Sequence, residues 1–239
     1  MTSLFEALKD LLFPPACLGC ERRLDHSRPP LFCADCQAEL AFIRSPLCPC
    51  CGTPHVAGGD HLCGACLNNR YAFDAARSLL FYQPPVANII LALKFGGNLP
   101  AVASLEALTA GSDCLGQLGE PDLVLPVPLH PNRLRERGFN QALVLAKGCF
   151  PQWRDKINTE LLARTRLTTP QSQLSGKERR TNLRKVFTLA QSGGVTGKRV
   201  LLVDDVFTTG STVQECSTIL RAGGAARIEV FTLARSLAR

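Results

Sequence analysis

The stretch VLLVDDVFTTGST, residues 200–212, joins an aliphatic run to two adjacent acids and then to a hydroxyl-rich loop around a single glycine. Val200, Leu201, Leu202 and Val203 show no polar alternation, the pattern of a strand covered on both faces in a parallel sheet under helices. Asp204 and Asp205 are therefore expected at its carboxyl end. Beyond the loop, Thr212 and Glu215 have capping-box spacing, and Val213, Cys216, Ile219 and Leu220 form an apolar helical stripe that Gly223 and Gly224 end. A further strand over 228–232 completes a βαβ unit. Open α/β sheets bind ligands beyond the carboxyl ends of their strands, so the loop marks a ligand site.

Thr208, Thr209, Gly210, Ser211 and Thr212 offer backbone N–H groups, four hydroxyls and a helix N-terminus, a set suited to a phosphate dianion. Carboxylates repel phosphate, so Asp204 and Asp205 should face hydrogen-bond donors or a bridging cation. A ribose with vicinal hydroxyls and a 5-phosphate satisfies both halves of the stretch. The segment resembles the phosphoribosyl-pyrophosphate (PRPP) motif of type I phosphoribosyltransferases, two acids followed by a T-T-G-S/T-T loop. Paired acids after a strand also occur in receiver domains and in Walker-B strands. A receiver carries its acids after the first strand, whereas here one further strand follows; residues 193–199 fall one residue short of a P-loop and end in Arg199.

With 239 residues, 46% hydrophobic and 20% charged, the chain has the composition of a soluble protein and room for one large or two modest domains. No uninterrupted apolar run is long enough to span a bilayer. The N-terminal MTSLFEALKDLLF lacks a basic region and spaces Ser3 and Glu6 as a capping box, so an amphipathic helix is expected rather than a signal peptide, and a cytoplasmic location follows.

Nine of the twelve cysteines precede residue 67, and eight of these form four C-x-x-C pairs: Cys17/Cys20, Cys33/Cys36, Cys48/Cys51 and Cys63/Cys66. The pairs start 16, 15 and 15 residues apart, an internal repeat. Two such pairs complete one tetrahedral four-thiolate site, so eight ligands imply two structural Zn²⁺ ions. Disulfides would require an oxidising compartment, and a thioredoxin-type pair a βαβ context, neither of which the sequence signals. Sequential pairing is favoured over a cross-braced arrangement. Cys50 reads as a bystander, with His55 and His61 as the alternative ligands.

The composition changes at residue 70, which divides the chain into a zinc module over 1–70 and an α/β domain over 71–239. Strands are expected at 77–81, 124–127 and 161–164, helices at 86–95, 101–109 and 139–149, and a loop through PLHPNRLRERG. Formal net charge is +7, yet residues 130–185 hold thirteen Lys and Arg against four Asp and Glu, so the positive field is concentrated there. Its densest patches, Arg133/Arg135/Arg137 and Lys177/Arg179/Arg180, follow expected strands and open onto the edge that carries the phosphate loop. A basic run is also an ordinary solvated face or a nucleic-acid patch.

As a set, the C-x-x-C knuckles, LALKFGG, RERGFNQA, ARTRLTTPQSQLS, RRTNL and the 200–212 stretch resemble the ComF/GntX family, associated with bacterial competence. The resemblance implies a type I phosphoribosyltransferase-like parallel sheet flanked by helices, joined to a small N-terminal zinc-ribbon module. It also implies PRPP, or another ribose 5-phosphate ligand, with Mg²⁺ bridging pyrophosphate and ribose, and a role in bringing single-stranded DNA into the cytosol. In the transferase version Thr208, Thr209, Gly210, Ser211 and Thr212 anchor the 5-phosphate, and Asp204 and Asp205 fix the ribose. Arg133, Arg137 and the backbone near Gly138 take the pyrophosphate. Residues 165–180 close over the reacting carbon, where Lys177, Arg179 or Arg180 neutralises the leaving charge. The acceptor hood is expected within residues 70–120, although no aromatic sandwich marks it. The competing class is a single-stranded DNA binder or an adaptor for competence proteins. It lacks aromatic supply, since the basic region and its edge offer only Phe139, Phe150, Trp153 and Phe187, and it leaves Asp204 and Asp205 unexplained.

Overall fold

The computed structural model describes residues 14–25, 29–96, 99–110, 112, 115–165, 186–191 and 193–237. The N-terminal helix expected from Ser3 and Glu6 lies outside these residues. Four strands, β1 (Ala75–Phe81), β2 (Leu123–Pro126), β5 (Arg199–Phe207) and β6 (Arg227–Arg235), form one parallel sheet in the order β1-β6-β5-β2. Along β5, Leu201 and Val203 enter the hydrophobic cluster on one face while Val200 and Leu202 enter the cluster on the other. The uninterrupted aliphatic run is thus a strand with no solvent face, as its pattern required.

Helices cover both faces. Leu105 of Leu99–Ala110 and Leu145 and Ala146 of Gln141–Cys149 pack in the first cluster, and Val213, Cys216 and Leu220 of Ser211–Ala222 pack in the second. The helix Val86–Gly96 contributes Val86, Ile89 and Ile90 to the first cluster.

Four local expectations are corrected. The strand does not stop at the acids: Asp204 pairs with Thr232, Val206 with Ala234 and Phe207 with Arg235, because β6 is equally long and its ladder carries the acids along. The following helix begins at Ser211 with Gly210 as its N-cap, so Thr212 already lies inside its first turn rather than at the capping position. The stretch PNRLRER is a helix, Pro131–Arg137, rather than a loop; Pro131 lies in its first turn and the His130 Nδ1 accepts the Asn132 N–H at 3.2 Å. Finally, Leu162–Arg164 (β3) is not a member of the sheet. Ile157 takes the outer edge of β2 through a single bridge to Val124, and β3 then pairs antiparallel with β4, Phe187–Leu189.

The N-terminal module is built onto the edge strand β1. Phe42 bridges to Leu80, the Phe81 N–H donates to the Ala41 carbonyl at 2.9 Å, and the Ala76 N–H donates to the Cys50 carbonyl at 2.6 Å. The pairing groups of an otherwise open edge are thereby satisfied. Cys17, Leu24, Leu31, Phe32, Cys36 and Leu40 join the cluster on one sheet face, and Cys48, Cys51 and Cys66 join the other. The module therefore straddles β1 and shares both cores of the α/β fold.

Candidate functional site

The loop after β5 is shaped by Gly210. Its φ of +73° is in the left-handed region, and a Cβ there would lie 2.5 Å from Phe207 Cζ and 3.0 Å from Tyr71 Cε1. Only glycine combines that backbone with that packing. The turn delivers the chain into a twelve-residue helix whose N-cap is a glycine with no side-chain hydrogen bond. First-turn N–H groups of a helix have no intrahelical acceptor, and the helix dipole adds to their attraction for an anion. Thr208, Thr209, Ser211 and Thr212 are each half-buried around this turn, and the Thr209 and Ser211 hydroxyl oxygens lie 2.7 Å apart.

Asp204 and Asp205 precede the loop on the strand. Each carboxylate accepts the next backbone N–H, Asp204 Oδ1 from Asp205 at 2.9 Å and Asp205 Oδ1 from Val206 at 2.8 Å. Burial raises the Asp204 carboxyl well above the usual carboxylate range; the charge of Asp205 adds to the rise, while the Asp205 N–H and the Arg164 guanidinium oppose it. An acid held in this way is poised to meet a hydroxyl or a cation that stabilises its charge.

On the neighbouring strand, β2 leads through Val127, whose N–H donates to the Val203 carbonyl at 2.9 Å, into the helix Pro131–Arg137. Arg133 and Arg137, four residues apart, are half-buried on one helix face, whereas Arg135 is exposed and donates to Asn132 Oδ1 at 2.6 Å. Gly138 closes the helix at φ +77° with open space where a Cβ would point. The sheet order places this helix and the 208–212 loop beyond the carboxyl ends of adjacent strands. Lys177, Arg179 and Arg180 fall between β3 and β4 and lie outside the described residues.

Other groups at this edge carried no legible sequence signal. Arg70 and Tyr71 both reach the Thr209 carbonyl, at 3.3 and 3.5 Å, and the Ala72 N–H donates to Gln214 Oε1 at 2.7 Å. Within 70–120, where the acceptor hood is expected, the segment 75–81 is the sheet strand signalled at 77–81, and Val86, Ile89, Ile90, Leu105 and Leu108 are core residues. The physical reason is that these apolar positions are needed to cover the sheet. A residue inside the quoted motif and one far from it form a pair that no sequence signal marks: the Arg235 guanidinium stacks over the Phe207 ring, 4.0 Å from its centroid.

The cysteines gather sequentially. Cys17, Cys20, Cys33 and Cys36 form one group and Cys48, Cys51, Cys63 and Cys66 another, with the sulfurs of each group all within 4.8 Å of one another. The Cys20–Cys33 and Cys51–Cys63 sulfurs are 3.7 and 3.5 Å apart. A tetrahedron with arms of about 2.3 Å has edges of about 3.8 Å, whereas a disulfide needs about 2.05 Å, so the spacing fits zinc. Backbone donors reinforce it: Cys17 Sγ accepts N–H groups from Gly19 and Cys33 at 3.4 and 3.3 Å, and Cys48 Sγ accepts that of Cys63 at 3.4 Å. Burial works to raise the Cys17 and Cys48 thiols, but these N–H groups prevail and lower each to about 6. Cys50 stands apart with its sulfur 4.0 Å from the Phe73 carbonyl. His55 and His61 stack on each other and bond to loop carbonyls, so neither joins a tetrad. With four protein ligands each, the sites have no open position for a substrate. Among the described residues no helix is long and apolar enough to cross a membrane.

Comparison with known proteins agrees with both halves of this geometry. Residues 8–67 match the double zinc ribbon domain and residues 157–239 the phosphoribosyl transferase domain. The chain is 37% identical over 212 residues to the DNA utilization protein YhgH of Escherichia coli strain K12, covering 86% of this chain and 90% of that one. It is 34% identical over 226 residues to competence protein F of Haemophilus influenzae, covering 92% and 96%, and 26% identical over 211 residues to competence protein ComFC of Bacillus subtilis, covering 85% and 84%. Among solved structures, the allosteric regulatory enzyme of purine biosynthesis overlaps 55% of this chain and 26% of that one at 25% identity, with a TM-score of 0.33 that is too low to build on. Zinc ribbons, transferase domain and relatives matched along nearly the whole chain together place this protein in the ComF/GntX family.

Proposed function

We propose that the chain binds PRPP, or a related ribose 5-phosphate ligand, at the carboxyl edge between β2 and β5, and works as a phosphoribosyltransferase-type protein in DNA uptake or utilisation. The observation that carries this is the order of parts on β5: an acid pair, then a left-handed Gly210, then the N-terminus of a twelve-residue helix. The backbone and hydroxyls of Thr208, Thr209, Gly210, Ser211 and Thr212 hold the 5-phosphate. Asp204 and Asp205 accept from the ribose hydroxyls, Arg133 and Arg137 with the backbone at Gly138 receive the pyrophosphate, and Lys177, Arg179 or Arg180 neutralises the charge that develops on it. The carboxylates of Asp204 and Asp205 are oxygen donors of the kind a hard cation takes, so they would hold Mg²⁺, which would supply charge neutralisation to the bound ligand.

Cys17, Cys20, Cys33, Cys36, Cys48, Cys51, Cys63 and Cys66 are the zinc ligands in this reading. The division falls after residue 70, and the reduced thiols suit the cytoplasm. Calorimetric titration with PRPP and Mg²⁺, repeated in the presence of candidate bases, tests the proposal. Binding with turnover identifies an enzyme and binding alone identifies a sensor. Folded, zinc-loaded protein that binds neither PRPP nor ribose 5-phosphate refutes the reading.

A single-stranded DNA partner is the second reading. It is favoured by the surplus of thirteen Lys and Arg over four Asp and Glu in residues 130–185 and by the exposed Arg135. The nucleic-acid affinity it requires must fall steeply with salt. PRPP should compete only where the two sites overlap.

A further inference from the structure

Arg235 ends β6 directly beside Phe207, the last residue of β5, and is 5% exposed. A guanidinium so deeply placed needs partners; its two terminal nitrogens and its ring-facing side find them on two different parts of the molecule, while Nε is left without a hydrogen-bond acceptor among the described residues. One face stacks on the Phe207 ring. Its edge donates to the Cys51 carbonyl and, at 3.3 Å, to the Thr53 hydroxyl, both in the second zinc ribbon. Thr53 Oγ1 is itself 3.0 Å from Cys51 Sγ. Phe207 Cζ is also the atom nearest the position a Gly210 Cβ would occupy, at 2.5 Å, and Tyr71 meets Phe207 edge-on with centroids 6.1 Å apart. A continuous chain of contacts therefore runs from Cys51 through Arg235 and Phe207 to Gly210.

The first tetrad has a different position. Cys17 and Cys36 pack in the cluster on the other sheet face, with Leu79, Val203 and Phe231, whereas Cys48, Cys51 and Cys66 share their cluster with Phe207 and Val213. Four thiolates around one divalent ion carry net negative charge, the counter-charge that a buried guanidinium requires. We propose that Arg235 is a positioning residue that couples the second cysteine tetrad to the 208–212 loop, so that the order of the loop, and its affinity for ligand, depend on that tetrad and not on the first. The ligand half of this statement rests on the ribose-phosphate reading above; the loop half does not.

Hydrogen exchange on the full, zinc-loaded chain tests it. Arg235→Met should speed amide exchange across 208–213 roughly tenfold, equivalent to about 1.4 kcal/mol, leave exchange across 17–36 unchanged and retain the wild-type zinc content. Affinity for ribose 5-phosphate should fall by a similar factor. Arg235→Lys keeps a charged donor for the Cys51 carbonyl but lacks the planar face, so it should recover part of the loss. Thr53→Val, which removes one acceptor and leaves the core filled, should give a smaller change in the same direction and serves if Arg235→Met does not fold. Cys63→Ser should reproduce the faster loop exchange and Cys33→Ser should not. Unchanged exchange across 208–213 in Arg235→Met or Thr53→Val, or equal effects from the two cysteine variants, would overturn the coupling. Faster exchange in a protein that binds neither ribose 5-phosphate nor PRPP would leave the coupling standing and remove the ligand reading instead.

Discussion

Substituting Gly210 by alanine separates a conformational cost from a packing cost, because the molecule supplies its own control. Gly138 and Gly210 have nearly the same backbone, φ +77° and +73°, yet a Cβ on Gly138 meets nothing within 4 Å while one on Gly210 meets Phe207 at 2.5 and 2.9 Å and Tyr71 at 3.0 Å. A left-handed alanine costs roughly 1–2 kcal/mol, offset in part by about 0.4–1 kcal/mol from the stiffer unfolded chain. Gly138→Ala should therefore destabilise by about 1 kcal/mol. Gly210→Ala carries that cost and an overlap besides. Its nearest neighbour is a ring whose face is already occupied by the Arg235 guanidinium, so the ring cannot simply turn aside. Overpacking of this kind adds roughly 1–3 kcal/mol, for a total of about 2–4 kcal/mol. At roughly 2–4 °C per kcal/mol in a chain of this size, thermal melts of zinc-loaded protein will resolve the two variants. Ribose 5-phosphate binding should fail in Gly210→Ala at temperatures where it is still folded. Equal melting temperatures for the two variants would refute the close packing of the loop on Phe207 and Tyr71, and with it the account of why a glycine stands at the centre of the motif.

Asp204→Asn should melt higher than wild type at pH 7, because burial already disfavours the charged carboxylate. A carboxyl whose folded value is raised favours the fold at low pH and loses that contribution as pH rises through the folded value, so the variant's advantage should fade towards about pH 4. The same variant should bind ribose 5-phosphate roughly tenfold or more weakly, the size of a lost charge-assisted hydrogen bond; a variant equal to wild type in both respects would contradict the role given to Asp204. Purified protein should carry about two zincs per chain, and chelation should expose the amides of Ala76 and Phe81, which donate to Cys50 and Ala41, along with the ribbons themselves. Hydrogen exchange showing β1 still protected after metal removal would mean that the ribbons fold independently of the sheet. Single-stranded oligonucleotide affinity should fall linearly on a log–log salt plot, and Arg135→Gln should flatten the slope by about 0.7 while PRPP binding is kept; a slope unaffected by this exposed arginine would move the contact elsewhere.

The elements legible in the sequence are those whose signals are local. The strand, loop and helix of residues 200–222 follow from an aliphatic run, a glycine turn and a helical stripe, all within one supersecondary unit. The C-x-x-C spacing likewise announced two thiolate tetrads, because each ligand pair sits on one tight turn and the pairs recur about every fifteen residues. Where local signals competed, propensity misled: the acids were expected to end a strand that the β6 ladder continues to Phe207, and Leu162–Arg164 had the composition of a sheet strand but folds away with Phe187–Leu189. Long-range placement was not readable at all. Nothing in the residues of β1 says that it pairs with the last strand rather than with β2, or that a zinc module will straddle it and enter both cores. The bond from Arg235 to the Cys51 carbonyl spans 184 positions, and neither residue type nor spacing marks it. Hydrogen-bond periodicity and ligand geometry act between near neighbours and leave a trace in the order of residues, whereas the fit of one packed surface against another exists only after the chain has brought them together.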